Sequence, residues 1–133
     1  MSGAGFAKRL RLREPAQFRA VFDAAEVRLS AGELLLLARA NSLDHPRLGI
    51  VIGRKVCRLA SRRNRFKRAV RESYRLRQAE LLGLDIIILA RAGTGALDSA
   101  GLNERIATLW ARLTKRLRTG QAPQGSSPAH SSS

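Results

Sequence analysis

The residues of this sequence best suited to chemistry are the cations between Ser61 and Arg77. This stretch holds eight Arg or Lys side chains against one acid, Glu72, and it contains no Gly or Pro. Strong helix formers dominate it, so we predict a helix rather than a disordered basic tail. The chemistry on offer is phosphate binding, because a guanidinium grips a phosphate through paired N–H donors.

A helical wheel, with about 100° per residue, divides this helix into two faces. One face predicts a core stripe and consists of Phe66, Ala69, Val70, Ser73, Tyr74 and Leu76. The other spans roughly 160° and consists of Asn64, Arg65, Lys67, Arg68, Arg71 and Arg75. A solvated charged surface is the alternative interpretation, but such surfaces usually mix both signs. Like charges this dense repel one another on a helix, so a neutralising polyanion explains the basic face better.

Composition extends the same argument to the whole chain. Its 133 residues suffice for one domain with a real core. The net charge is +15 and the isoelectric point is about 11.8. This balance indicates a nucleic-acid partner, and an anionic membrane surface is the weaker alternative. Arg54, Lys55 and Arg58 precede the basic helix and extend its patch.

Catalytic and metal chemistry find little support in the sequence. Cys57 is the single cysteine, and His45 and His130 are far apart, so we expect no disulfide and no zinc site. The ten acids are scattered, and no phosphate-binding loop, zinc-protease or serine-triad pattern occurs. We therefore expect no catalytic residue, no metal ligand and no cofactor in the polypeptide, which should bind rather than catalyse.

Targeting segments are not predicted either. The first eight residues lack the apolar region of a signal peptide. The longest apolar runs, 34–38 and 86–90, are much too short to span a bilayer. We expect a soluble, cytoplasmic protein.

Periodicity and turn chemistry predict one α+β domain of element order α-β-β-β-α-β-α. Residues 33–40 fit a buried strand, although their run of Leu and Ala also permits a helix. The basic helix should run from Ser61 to Leu81 or Leu82, with Gly83 as its stop. The remaining helices are predicted at 15–25 and 103–118 and the remaining strands at 27–29, 47–52 and 85–90. Residues 1–7 should be flexible, 8–118 should form the domain, and 119–133 should be a disordered Ser-, Pro- and Gly-rich tail.

Phe18 and Phe22 lie four residues apart on the first helix and leave two interpretations open. Their spacing favours a place in the core. The alternative is that they line a cleft and stack on unpaired bases, as aromatic side chains do in single-stranded RNA binding.

The sequence resembles the bacterial ribonuclease P protein family. The basic helix carries the resemblance through Ala60, Arg63-Asn64-Arg65-Phe66-Lys67-Arg68 and Val70-Arg71-Glu72. Further matches in the same order are Arg11-Leu12, the loop and strand from Asn41 to Gly49, and Asp85-Ile86-Ile87-Ile88. The similarity covers about residues 8–117. Two departures are Phe66, where the family usually has an aliphatic residue, and Leu34–Leu37, where many members place an aromatic.

The resemblance implies an αβββαβα sandwich whose four-stranded sheet contains a left-handed βαβ crossover, an exception to the usual handedness. It implies a subunit of ribonuclease P, in which a large RNA uses Mg²⁺ to remove the 5′ leader of precursor tRNA. The implied partners are that catalytic RNA and precursor tRNA, with neither DNA nor membrane. The implied contacts to the catalytic RNA are Arg54, Lys55, Arg63, Asn64, Arg65, Lys67, Arg68 and Arg71. The implied leader contacts are Phe18, Phe22 and Arg11.

Three rival functions are compatible with the charge alone. One is a ribosomal or RNA-chaperone protein, and another is a DNA-binding regulator that inserts the basic helix into a major groove. The regulator would need a helix-turn-helix. The strand-rich stretch before the basic helix argues against both of these rivals. A membrane-bound amphipathic peptide is the third, but the core requires the apolar faces.

Overall fold

The computed structural model describes residues 11–119, which form three α-helices, four strands and two short 3₁₀ turns. The predicted element order, and with it the α+β class, is confirmed. Leu34–Ala40 form a strand rather than a helix, and Glu33, with which the predicted strand began, belongs to the preceding turn. The predicted flexible start and disordered tail lie outside the described residues, apart from Thr119. The elements are α1 (Pro15–Ala24), β1 (Val27–Ala31), β2 (Leu34–Ala40), β3 (Arg47–Val51), α2 (Ala60–Arg75), β4 (Leu84–Ala90) and α3 (Ser99–Arg118).

The four strands form one mixed sheet in the order β1-β2-β4-β3. β2 pairs antiparallel with β1 and β4, whereas β3 and β4 are parallel. A parallel pair needs a crossover, and α2 supplies it. The left-handed sense of that crossover stays a prediction. Gly32 has a φ of 56° and makes the turn between β1 and β2.

Alternation along the strands produces a core on each face of the sheet. Leu34, Leu36 and Ala38 of β2 belong to the larger core, which α2 and α3 cover. Leu37 faces the opposite way and joins a smaller core with Val21 of α1. α1 covers this sheet face only in part, since Leu35 and Leu89 on the same face stay partly exposed.

Three sequence predictions are wrong in detail. α2 ends at Arg75, and a 3₁₀ turn at Gln78–Glu80 follows, so that Leu81 can enter the core before β4 begins. Leu76, predicted for the core stripe of α2, is 87% exposed because it caps the early helix end. α3 begins at Ser99, four residues before the prediction, because the Asp98 side chain caps it by accepting from the backbone N–H of Gly101 at 2.8 Å.

Candidate nucleic-acid interface

α2 presents a polar stripe whose side chains have no partner inside the described chain. Asn64, Lys67, Arg68 and Arg71 stand at i, i+3, i+4 and i+7, the spacing of one helix face. None makes a side-chain hydrogen bond or ion pair within residues 11–119. Phe66, Val70 and Tyr74 are buried on the opposite face and fix the stripe outward. The structure thus brings together four of the predicted RNA contacts on one surface.

Arg63 and Arg65 differ from the residues of the stripe because their guanidinium groups form hydrogen bonds within the fold. The Arg63 guanidinium donates to the backbone carbonyls of Cys57 at 2.9 Å and Arg58 at 3.0 Å. The Arg65 guanidinium donates to the carbonyl of Leu97 at 2.6 Å and is half-buried. These two side chains hold the start of α2 to the segments on either flank. A guanidinium has five N–H donors, so each arginine keeps N–H groups for a further contact.

The segment between β3 and α2 adds a second part to this surface. Arg54, Lys55 and Arg58 are exposed and line an open groove of about 400 Å³. The backbone N–H groups of Val56 and Cys57 donate to the carbonyl of Gly53, which gives the segment a defined turn. The bonds from Arg63 to Cys57 and Arg58 tie that turn to α2. Two predicted contacts, Arg54 and Lys55, therefore adjoin the stripe on a braced loop.

The two aromatic side chains of α1 differ in their surroundings. Phe18 is half-buried beside Leu12 and packs on Gly49 of β3, so closely that a Cβ there would lie 2.5 Å from Phe18 Cε1. Phe22 lies one helical turn further, about 6 Å along the axis, and is 38% exposed. Phe18 therefore combines a core contact with partial exposure. Phe22 is the more exposed of the two rings.

The sheet beside α1 is apolar and lacks an aromatic side chain in the described chain. Leu35 and Leu37 of β2 and Leu89 of β4 line it next to α1. The Arg39 guanidinium donates to the carbonyl of Ala20 at 3.2 Å and links α1 to the sheet. The floor of the cleft can thus pack against a base or ribose but offers it no stacking ring.

The N-terminal end of α1 opens into a basic groove of about 300 Å³. Arg11 is half-buried there, and the Nε of this side chain is buried without a hydrogen-bond partner among the described residues. Arg47 reaches the same groove while its guanidinium makes a paired hydrogen bond to Asp85, at 2.8 and 2.7 Å. This pairing raises the pKa of Arg47. The other residues that line this groove are Arg13, Glu14, Gln17, Leu43 and His45.

Asp85 is the buried acid that organises the end of the sheet. Besides its pairing with Arg47, it accepts a hydrogen bond from the side-chain amide of Asn41 at 2.9 Å. That amide also donates to the carbonyl of His45, which shapes the loop after β2. A buried carboxylate needs such partners to stay charged. The sequence showed Asp85 only as the start of a strand.

Residues 11–119 contain neither a metal-binding cluster nor a membrane-spanning helix. No group of three or more His, Cys, Asp or Glu side chains lies close enough together there to hold a metal ion. None of the helices described is both long and apolar enough to cross a membrane.

Comparison with known protein families shows the family to which this chain belongs. A family model described as Ribonuclease P matches residues 6–114. The chain belongs to the ribonuclease P protein family. It is 49% identical over 115 residues to the ribonuclease P protein component of Ectopseudomonas mendocina (strain ymp), with 86% of each chain covered. It is 45% identical over 130 residues to that of Azotobacter vinelandii (strain DJ), with 97% of this chain and 100% of the other covered.

Solved structures agree with this family assignment. The RNase P protein of Thermotoga maritima, solved with 1-(4-fluorophenyl)-2-thiourea, is 34% identical with a TM-score of 0.67. The match covers 77% of this chain and 98% of the other. The RNase P protein of Staphylococcus aureus is 24% identical, with a TM-score of 0.71 and coverage of 77% and 94%, and it shows the shared fold. As a ribonuclease P protein, this chain is a subunit of an enzyme of tRNA processing and a partner of ribonuclease P RNA.

The residue roles within this ribonuclease P protein stay predictions. The structure gathers Asn64, Lys67, Arg68 and Arg71 on one stripe, with Arg54 and Lys55 beside it. Arg11 lies at one end of α1, and Phe18 and Phe22 follow along the helix. The sequence did not predict the bracing bonds of Arg63 and Arg65, because their acceptors are backbone carbonyls, which every residue type has.

Proposed function

We propose that this ribonuclease P protein binds the catalytic RNA through the α2 stripe and the adjoining segment 54–58. Support comes mainly from one observation: four polar side chains of α2 point outward with no partner among the described residues. Three of them are cationic, and they repel one another unless an anion lies between them. Phosphate oxygens satisfy both their charge and their N–H donors. Arg63 and Arg65 hold the stripe in place and keep N–H groups for the same RNA.

The same proposal assigns the 5′ leader of precursor tRNA to the cleft between α1 and the sheet. Phe22 supplies an exposed ring for stacking, and Phe18 supplies a ring edge and the wall of the cleft. Leu35 and Leu89, which are partly exposed, offer an apolar floor for bases or riboses. Arg11, in the groove at the end of α1, meets the phosphate backbone. Single-stranded RNA is bound by this combination of rings and cations.

In this account the protein positions RNA and the catalytic RNA performs the hydrolysis with its own Mg²⁺. The cations offset phosphate repulsion between the catalytic RNA and the substrate, so less Mg²⁺ is needed. The cleft binds a leader that mature tRNA lacks, so precursor is favoured over product. The cytoplasm is the compartment in which we expect this assembly.

Salt dependence tests the assignment of the α2 stripe. Each phosphate contact contributes about 0.7–0.9 to the slope of log K against log salt. Lys67→Gln/Arg68→Gln should therefore reduce the slope for the catalytic RNA by about 1.4–1.8. Phosphate contacts contribute about nothing to affinity at 1 M salt. The change in slope therefore corresponds to a loss of about 15- to 30-fold in affinity for the catalytic RNA at 0.15 M salt.

The matched control is Arg19→Gln/Arg28→Gln, which removes two exposed cations of α1 and β1. Its slope for the catalytic RNA should equal that of the wild-type chain. Equal slopes for the stripe variant and the control would remove α2 from the interface.

A further inference from the structure

A third groove lined by cations lies where the end of α3 meets the edge strand β1. Its volume is about 380 Å³, and Arg112, Lys115, Arg116, Leu29 and Thr119 line it. Arg112 is held in place because its guanidinium donates to the carbonyl of Ser30 at 2.6 Å. Leu29 packs against the larger core and leaves part of its side chain at the groove. An ordered arginine, two further cations and an apolar wall thus converge at one site.

This groove is separate from the surface built around α2. β1 and β3 are the two edges of the sheet, three strand spacings or about 14 Å apart. β3 leads into segment 54–58 and then α2, whereas the groove lies on β1. α3 reaches it because α3 packs on β1 and β2. One phosphate cannot bridge the two surfaces, so each requires its own stretch of polyanion.

The charge of the groove is not compensated within the described chain. No ion pair within residues 11–119 includes Arg112, Lys115 or Arg116. α3 has no acid after Glu104. Three cations with no counter-charge in the described chain make the groove suited to an anion from outside it.

Cations at a helix C-terminus also complement the helix dipole, so the cations of the groove have an alternative explanation in the stability of α3. The dipole accounts for Lys115 and Arg116, which lie in the last turn. It does not account for Arg112, which lies nearly two turns before the end, where the effect has faded. Nor does it require a groove with an apolar wall against a strand.

We propose that this groove is a third RNA-binding site, beside the α2 surface and the leader cleft, and that it holds a phosphodiester backbone against Arg112, Lys115 and Arg116. The arginines grip phosphate oxygens through paired N–H groups and Lys115 acts as a point charge. Leu29 packs against a ribose. The inference goes beyond the proposed function, which uses α2 and the cleft. Both the catalytic RNA and the body of tRNA carry this backbone, and separate binding measurements distinguish them.

The test uses the full chain with Lys115→Gln/Arg116→Gln, again beside Arg19→Gln/Arg28→Gln. Arg112 is left intact because its bond to Ser30 supports the fold. Circular dichroism first verifies that both variants are folded at the assay temperature. Binding is then measured over a salt series with catalytic RNA alone and, separately, with mature tRNA, which lacks the leader.

The site predicts that the α3 variant loses about 1.4–1.8 in slope for one of the two RNAs, or about 15- to 30-fold at 0.15 M salt. The RNA affected identifies the occupant. Adding Lys67→Gln/Arg68→Gln should give additive losses for the catalytic RNA if it occupies both surfaces.

Slopes equal to those of the control for both RNAs would overturn the site and leave only the dipole role. Unchanged RNA binding with lost binding to vesicles of anionic lipid would overturn it in favour of a membrane surface. A wild-type chain that fails to bind catalytic RNA would instead refute the proposed function.

Discussion

The contact between Gly49 and Phe18 gives the sharpest test of how the cleft is built. A methyl group at residue 49 would lie 2.5 Å from Cε1 and 2.9 Å from Cζ of Phe18, and 3.1 Å from Cδ1 of Leu12. The backbone of Gly49 does not lie in the left-handed region, so the obstacle to Gly49→Ala is steric. The ring of Phe18 must move to admit the methyl group.

The expected magnitudes follow from packing. Overpacking by Gly49→Ala should lower the free energy of unfolding by about 1–3 kcal/mol. Phe18→Ala should cost about 2 kcal/mol, because a fully buried phenylalanine costs about 3–5 kcal/mol and Phe18 is half-buried. In the double variant the methyl group occupies space that the ring has left. The cost of Gly49→Ala should then fall to that of the 3.1 Å contact with Leu12, which gives a favourable coupling of about 1–3 kcal/mol.

Urea unfolding followed by the fluorescence of Trp110 measures this cycle. Trp110 is the only tryptophan, is fully buried, and its indole N–H donates to Ser73 at 2.8 Å. Gly53→Ala is the control, since nothing lies within 4 Å of a Cβ there. It should change stability by no more than about 1 kcal/mol. Costs of Gly49→Ala and Phe18→Ala that add within about 0.5 kcal/mol would refute the packing of Phe18 on Gly49.

Three further predictions follow from the surroundings of single residues. Phe22→Ala should leave stability nearly unchanged and weaken precursor tRNA binding to the assembled enzyme by about 1–3 kcal/mol, or 5- to 150-fold; equal losses for mature tRNA would contradict the cleft assignment. Arg65→Ala should lower the unfolding free energy by about 1–3 kcal/mol through its lost bond to Leu97, whereas Arg68→Ala should stay within about 0.5 kcal/mol of wild type; indistinguishable melting curves would disprove the bracing role of Arg65. Burial raises the pKa of Tyr74, the only tyrosine, so its contribution to stability is present below about pH 10, the unfolded value, and is lost as the pH rises above it. Phenolate absorbance should therefore appear only together with unfolding, and ionisation near pH 10 in the folded chain would contradict its burial.

The sequence predicted the elements well because their signals are local. The 3.6-residue period placed Phe66, Val70 and Tyr74 in the core, and three consecutive isoleucines marked β4. The end of α2 escaped prediction, since no Gly or Pro marks Arg75. What stops the helix is the route of the chain into β4, which is a tertiary requirement.

The sequence predicted which residues form the candidate site but not which of them make hydrogen bonds within the fold. One charge run contains both Arg68, which has no internal partner in residues 11–119, and Arg65, which reaches Leu97 from 32 residues away. Only the folded chain brings that carbonyl to the helix. Phe18 and Phe22 likewise share a helix face, and their difference arises from Gly49 on a distant strand. The groove at α3 was missed because Leu29 and Arg116 are far apart in sequence.

The central claim is that this protein serves RNA-based catalysis by binding RNA. The most direct test is single-turnover removal of the 5′ leader from precursor tRNA at low Mg²⁺. Four reactions are compared: protein alone, ribonuclease P RNA alone, both together, and RNA with the Lys67→Gln/Arg68→Gln variant. We expect no cleavage by the protein, slow cleavage by the RNA, fast cleavage by the pair, and reduced acceleration by the variant at subsaturating protein. Cleavage by the pure protein, or no acceleration of the RNA by the wild-type chain, would contradict the central claim.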